Sequence, residues 1–251
     1  MTDISVFYNC CDLRGHRNLS VSQMIRLCQS DLMTQAKNVY VMLNGDLTEF
    51  LDLATLLENN PNVRIVHTNP DASLMEWPGL THLKNYCDAA ANEQYVMYFH
   101  IKGVTHLTNT AIHDWRRYLE YWNIDRWQDC VAKLDQGFET VGTNFINEPF
   151  LGIDRQIRNW NHYSGNFWWA RSSYIKRLKP LPHPNSYILG TPSELTGYSI
   201  DKTNYRFDHE AWIASGKPNF CEIDRTPGGN HSNGGYPGWH YHHSYPESCY
   251  K

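Results

Sequence analysis

Two carboxylate residues, Asp208 and Glu210, stand two positions apart in the segment DHEAWI at 208–213. A positioned carboxylate can take a proton from a hydroxyl group, which makes Glu210 the first candidate for a general base and Asp208 the second. The apolar residues that follow favour a helix beginning near Asp208. The same pattern has a structural interpretation, in which Asp208 caps the helix and the helix dipole favours Glu210. Both interpretations are open at this point.

A histidine and a lysine end the apolar segment YVMYFH at 95–100, which continues as Ile101-Lys102-Gly103. The segment predicts a buried strand. Because side chains alternate along an extended chain, His100 and Lys102 are expected on the same side. An imidazole and an ammonium group side by side could face the negative charge of a diphosphate. In the alternative interpretation, His100 lies in the core and Lys102 is solvated.

Polar residues also end the earlier apolar runs, with Tyr8 and Asn9 after the first and Asn44 after the second. Ligands of α/β sheets bind beyond the carboxyl ends of the strands. Polar strand ends are therefore typical of a nucleotide-binding crevice, in which Tyr8 could stack on a base. Arg116, on a predicted helix, is a further candidate for contact with a diphosphate. As an alternative, each of these is an ordinary loop or surface residue.

The C-terminal stretch concentrates imidazoles, with His240, His242 and His243 in the segment WHYHHSY and His231 nearby. Imidazoles two positions apart can bind a divalent ion. The same residues could instead contact a diphosphate or an acceptor, or belong to a flexible surface tail. Paired glycines at 228–229 and 234–235 would let this stretch close over a bound molecule.

The elements that position these residues alternate between strands and helices. Alternation of this kind predicts a parallel sheet with helical crossovers, and thus an α/β fold with a mixed, mostly parallel central sheet flanked by helices. We expect one domain over 1–251 that ends in a tail or lid. The predicted strands are 4–9, 39–43, 63–67, 95–100, 140–143 and 219–223, and the predicted helices are 20–35, 47–58, 79–91, 114–134 and one from 208.

Composition narrows the classes of function. The chain has 22 basic and 26 acidic residues with no basic stripe, which argues against nucleic acid as a partner. It has no run of eighteen apolar residues, so no membrane span is expected. Its 7 cysteines are irregularly spaced without a Cys-x-x-Cys pair, and its first residues lack the pattern of a signal peptide. We therefore expect reduced thiols and a cytoplasmic location.

The segments YFHIKG at 98–103 and HYSGNFWWARSSYI at 162–175 resemble glycosyltransferases of the GT-A fold, in particular polysaccharide-synthesising enzymes of bacteria and large DNA viruses. In this resemblance GNFWWAR at 165–171 corresponds to a strand of small residues, and the next residues to the helix after it. The DHEAWI segment corresponds to the acidic start of a later helix, and Gly216-Lys217-Pro218 to the turn that follows it. The resemblance covers about 95–215 in separate motifs.

The resemblance implies transfer of a sugar from a nucleotide-diphosphate sugar to a hydroxyl group of a glycan, with inversion and a carboxylate base, in polysaccharide biosynthesis. It also implies a nucleotide-sugar-binding half at 1–105 and an acceptor-binding half at 106–251. The implied catalytic residues are Glu210 and Asp208. The implied donor-binding residues are Tyr8, Asn9, Asn44, His100, Lys102 and Arg116. The implied acceptor-binding residues are Asn166, Trp168, His240 and His242. Trp168 and Trp169 should point to opposite faces of a strand, one into the core and the other toward the acceptor.

The sequence departs from the GT-A pattern in one respect. Most such enzymes hold Mn²⁺ or Mg²⁺ through an Asp-x-Asp motif, and no Asp-x-Asp occurs in this chain. His100 and Lys102 occupy the place of that motif, so they could replace the metal or supplement it. Two alternatives stay open: a non-catalytic domain that binds a carbohydrate or nucleotide-sugar, and a metal-dependent hydrolase that uses the C-terminal histidines.

Overall fold

The computed structural model describes residues 2–11, 17–45, 53, 55, 57, 60–103, 110–151, 157–201 and 204–225. The predicted contacts of His240 and His242, and the predicted closing tail, lie outside the described residues. Most of the predicted helix at 47–58 also lies outside them. Within the described ranges, no helix has both the length and the apolar character needed to cross a lipid bilayer.

The centre of the fold is a mixed sheet of seven strands. They are Asp3–Cys11 (β1), Asn38–Asn44 (β2), Val63–Asn69 (β3), Gln94–His100 (β4), Thr140–Thr143 (β5), Trp168–Arg171 (β10) and Phe220–Asp224 (β11). Their order across the sheet is β3-β2-β1-β4-β10-β5-β11. Strand β1 pairs in parallel with β2 and β4, β2 with β3, and β5 with β11, whereas β10 is antiparallel to β4 and β5. The predicted α/β class with a mixed, mostly parallel sheet is confirmed.

Two short hairpin-like pairs lie outside this sheet. They pair Phe145–Ile146 (β6) with His162–Tyr163 (β9), and Phe150–Leu151 (β7) with Ile157–Arg158 (β8), both antiparallel. The β6–β9 pair brings the turn at 164–166 back toward the end of β4. This turn reaches the candidate site described below.

Helices cover both faces of the sheet. They are Arg17–Gln29 (α1), Asp31–Gln35 (α2), Trp77–Ala89 (α3), Thr110–Glu120 (α4), Trp127–Asp135 (α5), Ser172–Arg177 (α6) and Arg206–Ala211 (α7). Single turns of 3-10 helix occupy Ala72–Leu74, Pro184–Ser186 and Trp212–Ala214, and a π-helical turn occupies Tyr121–Asp125.

Two helices predicted as continuous are interrupted. The helix predicted at 20–35 breaks at Ser30, whose hydroxyl donates to the carbonyl oxygen of Leu27 at 2.7 Å and so closes the end of α1. The helix predicted at 114–134 widens into the π-helical turn. There the side chain of Asn123 donates to the carbonyl oxygen of Leu119 at 2.9 Å, and the indole of Trp169 donates to the carbonyl oxygen of Asn123 at 3.0 Å. These side-chain bonds satisfy backbone groups that a regular helix would pair internally.

The two faces of the sheet form separate apolar cores. Trp169 belongs to the core beneath α1, α4 and α5, and Trp168 belongs to the core beneath α3 and α6. The prediction that they point to opposite faces is confirmed, because neighbours in a strand alternate. However, both indoles are fully buried, and Trp168 stacks on Tyr98 with ring centroids 5.2 Å apart. Trp168 is therefore a core residue, and the expectation that it contacts an acceptor is corrected.

Candidate functional site

The candidate site lies where the chain order of the parallel strands reverses, beyond the carboxyl ends of β1 and β4. Such switch points are the usual ligand-binding crevices of α/β sheets. Five polar residues from four segments meet here, and we call them the switch-point cluster. They are Glu76, His100, Lys102, Asn166 and Glu210.

The loop before α3 holds Glu76 in place. Met75, which precedes Glu76, has φ 50° and ψ −118°, an unfavourable conformation for a residue with a side chain. The carbonyl oxygen of Met75 accepts from the amide of Asn9 at 2.8 Å and from that of Asn44 at 3.1 Å. Two partly buried hydrogen bonds therefore hold this strained residue, and with it the position of Glu76.

Asn9 also fixes the start of α3. Its side-chain oxygen accepts from the backbone amide of Gly79 at 3.1 Å. A Cβ on Gly79 would lie 2.8 Å from the Cβ of Asn9, so this close approach requires glycine. Asn9 and Asn44 are 1% and 0% exposed. The expectation that they bind a donor directly is corrected, because both amides are buried and donate to the chain itself.

The carboxyl group of Glu76 contacts three side chains. Its Oε1 atom lies 3.1 Å from Nδ1 of His100. Its Oε2 atom accepts from the hydroxyl of Tyr98 at 3.3 Å and from the side-chain amide of Asn166. Glu76 is thus bound on both oxygens at the end of β4.

The turn SGN at 164–166 supplies the other side of the cluster. Gly165 and Asn166 have φ 91° and 56°, and a Cβ on Gly165 would lie 2.5 Å from a methyl group of Leu119. This left-handed turn directs the carbonyl oxygen of Gly165 to Nε2 of His100 at 3.0 Å. The indole of Trp168 donates to Oδ1 of Asn166 at 2.8 Å, which orients the amide toward Glu76. Asn166 is 1% exposed and therefore positions Glu76 rather than offering an open acceptor contact.

Lys102 is the cation of the cluster. Its Nζ atom lies 4.0 Å from the ring centroid of Trp115, a favourable cation–π distance. Burial lowers the pKa of Lys102, while the carboxylates of Glu210 and Glu76 counteract that effect. The carboxylate of Glu210 is therefore within electrostatic range of Lys102.

The pKa values of Glu76 and His100 move in opposite directions. Burial first, and then the carboxylate of Glu210, raise the pKa of Glu76 to about 7. Burial first, and then the charge of Lys102, lower the pKa of His100 to about 3. His100 is therefore neutral at neutral pH, with both ring nitrogens engaged. The expectation that His100 joins Lys102 in facing a diphosphate is corrected, and the positive charge here comes from Lys102 and the nearby Arg206.

Helix α7 places Asp208 and Glu210 in different surroundings. The helix begins at Arg206, with Tyr205 as its N-cap residue, so the predicted capping role of Asp208 is wrong. Asp208 is buried and accepts from the hydroxyls of Ser193 at 2.5 Å and Thr196 at 3.1 Å. Two positions along a helix turn a side chain by about 200°. Asp208 thus anchors the loop at 193–196, while Glu210 acts on the switch-point cluster.

His209, between these two carboxylates, is buried beneath the cluster. Neither of its ring nitrogens has a hydrogen-bond partner in the described part of the chain, and burial lowers its pKa to about 3. Its carbonyl oxygen accepts from the side-chain amide of Asn166 at 3.4 Å. The sequence analysis did not identify His209 as a site residue.

Tyr8 and Arg116 lie elsewhere. Strand β1 continues to Cys11, so Tyr8 is inside the strand rather than at its end. Its ring is fully buried against Phe99, with centroids 4.4 Å apart, and its hydroxyl donates to Gln23 at 3.0 Å. It cannot stack on a base, and that expectation is corrected.

Arg116 is 8% exposed and pairs with Glu120, with Nε 3.4 Å from Oε1. Burial lowers the pKa of Arg116, and the carboxylate of Glu120 counteracts this. The expected contact between Arg116 and a diphosphate is corrected, since its guanidinium already faces a buried carboxylate.

Sequence reasoning also missed Glu76, which precedes Trp77-Pro78-Gly79. A carboxylate immediately before a proline-containing helix start, at the exit of a predicted strand, is the signal that could have identified it.

As for metals, no group of three or more His, Cys, Asp or Glu side chains within the described ranges is arranged to hold an ion.

A protein-family model described as "Domain of unknown function (DUF8361)" matches residues 7–220, which include the whole switch-point cluster. No curated protein matches the chain.

Proposed function

The chain belongs to the DUF8361 family, and we propose that it is a glycosyltransferase of the GT-A kind. It would move a sugar from a nucleotide-diphosphate sugar onto a hydroxyl group of a glycan. The mixed α/β sheet is of the type that the GT-A resemblance implies. The YFHIKG and SGNFWWA segments, which support the resemblance, form the end of β4 and the turn beside it.

One observation chiefly supports this proposal. Lys102 follows β4 and Glu210 lies on α7, and the carboxylate of Glu210 counteracts the lowering of the Lys102 pKa by burial, as expected of charged groups at one strand-order switch point. A cation and a partly exposed carboxylate at such a crevice are the two groups that sugar transfer from a diphosphate needs. One stabilises the leaving group, and the other removes a proton from the acceptor.

In the proposed reaction, the acceptor hydroxyl oxygen forms a bond to the anomeric carbon as the bond from that carbon to the phosphate oxygen breaks. The hydroxyl proton passes to the carboxylate of Glu210, and the bond pair leaves with the nucleoside diphosphate. Lys102 lies near the developing negative charge. A positioned base of this kind typically accelerates a reaction by about 10²- to 10⁴-fold.

The supporting residues set the geometry of this step. Asn9 and Asn44 fix Met75 and thereby Glu76, and Trp168 orients Asn166. These buried contacts lock the side chains that flank Lys102 and Glu210. Preorganisation of this kind reduces the reorganisation needed when the charge develops.

The first test is a thermal-shift screen with UDP-, GDP-, TDP- and CMP-linked sugars, each with and without Mn²⁺. A sugar that raises the melting temperature is then incubated with candidate glycan acceptors, and release of the free nucleotide is measured. Transfer abolished by EDTA and restored by Mn²⁺ would show that Lys102 does not replace a metal. Binding without turnover would favour the non-catalytic alternative, and no shift with any nucleotide-sugar would contradict the proposal.

A further inference from the structure

A hydrogen lies in the contact between Glu76 and His100. The group that contacts the opposite nitrogen of the imidazole ring, the carbonyl oxygen of Gly165, indicates which residue carries it. Nε2 of His100 lies 3.0 Å from the carbonyl oxygen of Gly165, and a carbonyl oxygen can only accept a hydrogen bond. Nε2 therefore carries a hydrogen. A neutral imidazole has a single N–H group, so Nδ1, which is 3.1 Å from Oε1 of Glu76, is an acceptor.

An acceptor nitrogen at that distance needs a donor opposite it. One arrangement is a protonated Glu76 carboxyl that donates to Nδ1 of His100. The other is an ionised Glu76 facing a doubly protonated His100. Burial, with the positive charges of Lys102 and Arg206, opposes the second arrangement and lowers the pKa of His100 to about 3. The hydrogen in this contact therefore belongs to the carboxyl group of Glu76.

Building on the proposed function, we propose that Glu76 is a proton-linked positioning residue. It is protonated and donates to His100 when the switch-point cluster binds a nucleoside diphosphate, and its ionisation weakens that binding. With Glu76 protonated, Lys102 and Arg206 face one carboxylate, that of Glu210, so the surroundings carry a net positive charge. With Glu76 ionised, two carboxylates cancel the two cations. The proton on Glu76 thus decides whether the cluster attracts an anion.

The charged and titratable groups around Glu76 come from β4, its following turn and α7. They are Tyr98, His100, Lys102, Arg206 and Glu210, while His209 acts through His100. Burial raises the pKa of Tyr98 well above its usual value and lowers the pKa of His209 to about 3, so neither changes charge near neutral pH. Glu76, with its pKa raised to about 7 chiefly by burial, does change charge there.

The proton can be observed without any ligand. In protein labelled with ¹³C at the glutamate carboxyl carbon, the resonance that disappears in Glu76→Gln should titrate with a midpoint near 7. A midpoint below 5 would overturn the inference. If Glu76→Gln does not fold, the ¹⁵N resonances of His100, assigned with His100→Gln, give a second measurement. They should show a neutral ring protonated at Nε2 at pH 6, whereas an imidazolium at that pH would overturn the inference.

Binding of UDP, measured by calorimetry at pH 6 and pH 8, tests the linkage. Because UDP itself gains charge in this interval, the comparison is between wild type and Glu76→Gln at each pH. A glutamine amide still donates to Nδ1 of His100 and imitates the protonated carboxyl. A midpoint of about 7 leaves about nine-tenths of Glu76 protonated at pH 6 and about one-tenth at pH 8. Relative to the variant, wild type should therefore lose about tenfold in affinity over this interval.

Asp3→Asn is the matched control, since it removes an exposed carboxylate at the start of β1, the end of the strand opposite the cluster, and should keep the tenfold pH effect. Equal pH dependence of wild type and Glu76→Gln would overturn the linkage. A carboxyl midpoint near 7 with no binding of UDP, GDP, TDP or pyrophosphate would support the protonated Glu76–His100 pair and contradict the proposed glycosyltransferase. The two failures are thus distinguishable.

Discussion

Two groups of partly buried charged residues are built differently. The first is the switch-point cluster. The second, which we call the arginine network, consists of Arg26, Arg116, Glu120 and Asp125. In the arginine network, Arg26 donates to Asp125 and lies 3.7 Å from Glu120, and Arg116 lies 3.4 Å from Glu120. Each of its carboxylates therefore faces a guanidinium group.

The switch-point cluster has no such balance. Its Glu76 faces a neutral imidazole, its lysine lies against an indole ring, and Met75 and Asn166 have positive φ angles. Compensated ion pairs are typical of structural networks, whereas perturbed pKa values together with backbone strain are typical of functional sites. From this comparison we propose that the arginine network stabilises the fold, whereas the switch-point cluster is the candidate ligand site.

The difference between the two groups can be tested first through catalysis, where we expect the largest effect. Glu210→Gln should lower the turnover number for sugar transfer by about 10²- to 10⁴-fold while donor binding persists, because the amide cannot accept the acceptor proton. Nucleotide release under saturating donor measures this. Glu194→Gln, a change at an exposed carboxylate, is the control. Near-normal transfer by Glu210→Gln would assign the base elsewhere.

The arginine network should respond in the opposite way. Glu120→Leu leaves two arginines without their shared buried partner and should cost about 3–5 kcal/mol of unfolding free energy. Urea denaturation at pH 7 measures this cost, and Asp3→Asn, at an exposed ion pair, should cost much less. If the folded Glu120→Leu variant lost donor binding at unchanged stability, the arginine network would belong to the site.

A third expected effect is a loss of folding stability at low pH. The pKa values of His100 and His209 are about 3 in the folded protein, below the ordinary value of 6.5, chiefly because both rings are buried. The unfolded chain takes up these protons first, so stability is complete above pH 6.5 and falls as the pH decreases toward 3. Glu76 works against this trend, because its raised pKa favours the folded state at low pH.

One variant can measure how much His209 contributes to this loss of stability at low pH. Between pH 6.5 and pH 5, each buried histidine should cost on the order of 2 kcal/mol. His209→Phe keeps an aromatic ring beside Tyr205 but cannot titrate, so it should lose that much less stability than wild type over this interval. Urea midpoints at several pH values provide the measurement. Equal losses in the two proteins would show that His209 is protonated in the folded state.

The sequence predicted most of the fold because burial leaves a periodic trace. The first four strands of the sheet, the β10–α6 unit and β11 lie within a few residues of their expected positions. The spacing of apolar residues did not reveal the breaks in helices that depend on residues distant in the sequence. The π-helical turn at 121–125 is held in part by Trp169 on another element, and no local spacing records that contact.

The candidate site was predicted only in part, for a related reason. Residue type together with position identified Lys102, after a predicted strand, and Glu210, at the start of a predicted helix. They did not reveal that α3 and the loop before it cover the end of β1, which turns Asn9 from a ligand contact into an internal support. Glu76 was missed because its partner His100 is distant in sequence, and burial, which raises its pKa, is a property of the fold.

The smallest expected effect is on UDP binding. It directly compares Lys102 of the switch-point cluster with Arg116 of the arginine network. Lys102→Met keeps a long unbranched side chain but removes the charge that lies over Trp115, and should weaken UDP binding by about tenfold, or about 1.4 kcal/mol. Uridine binding should change much less, because the nucleoside has no phosphate. Arg116→Met is the matched control, since its charge already faces Glu120. Equal losses of UDP and uridine in Lys102→Met would remove the phosphate role of Lys102. A tenfold loss of UDP binding in Arg116→Met would join the arginine network to the switch-point cluster.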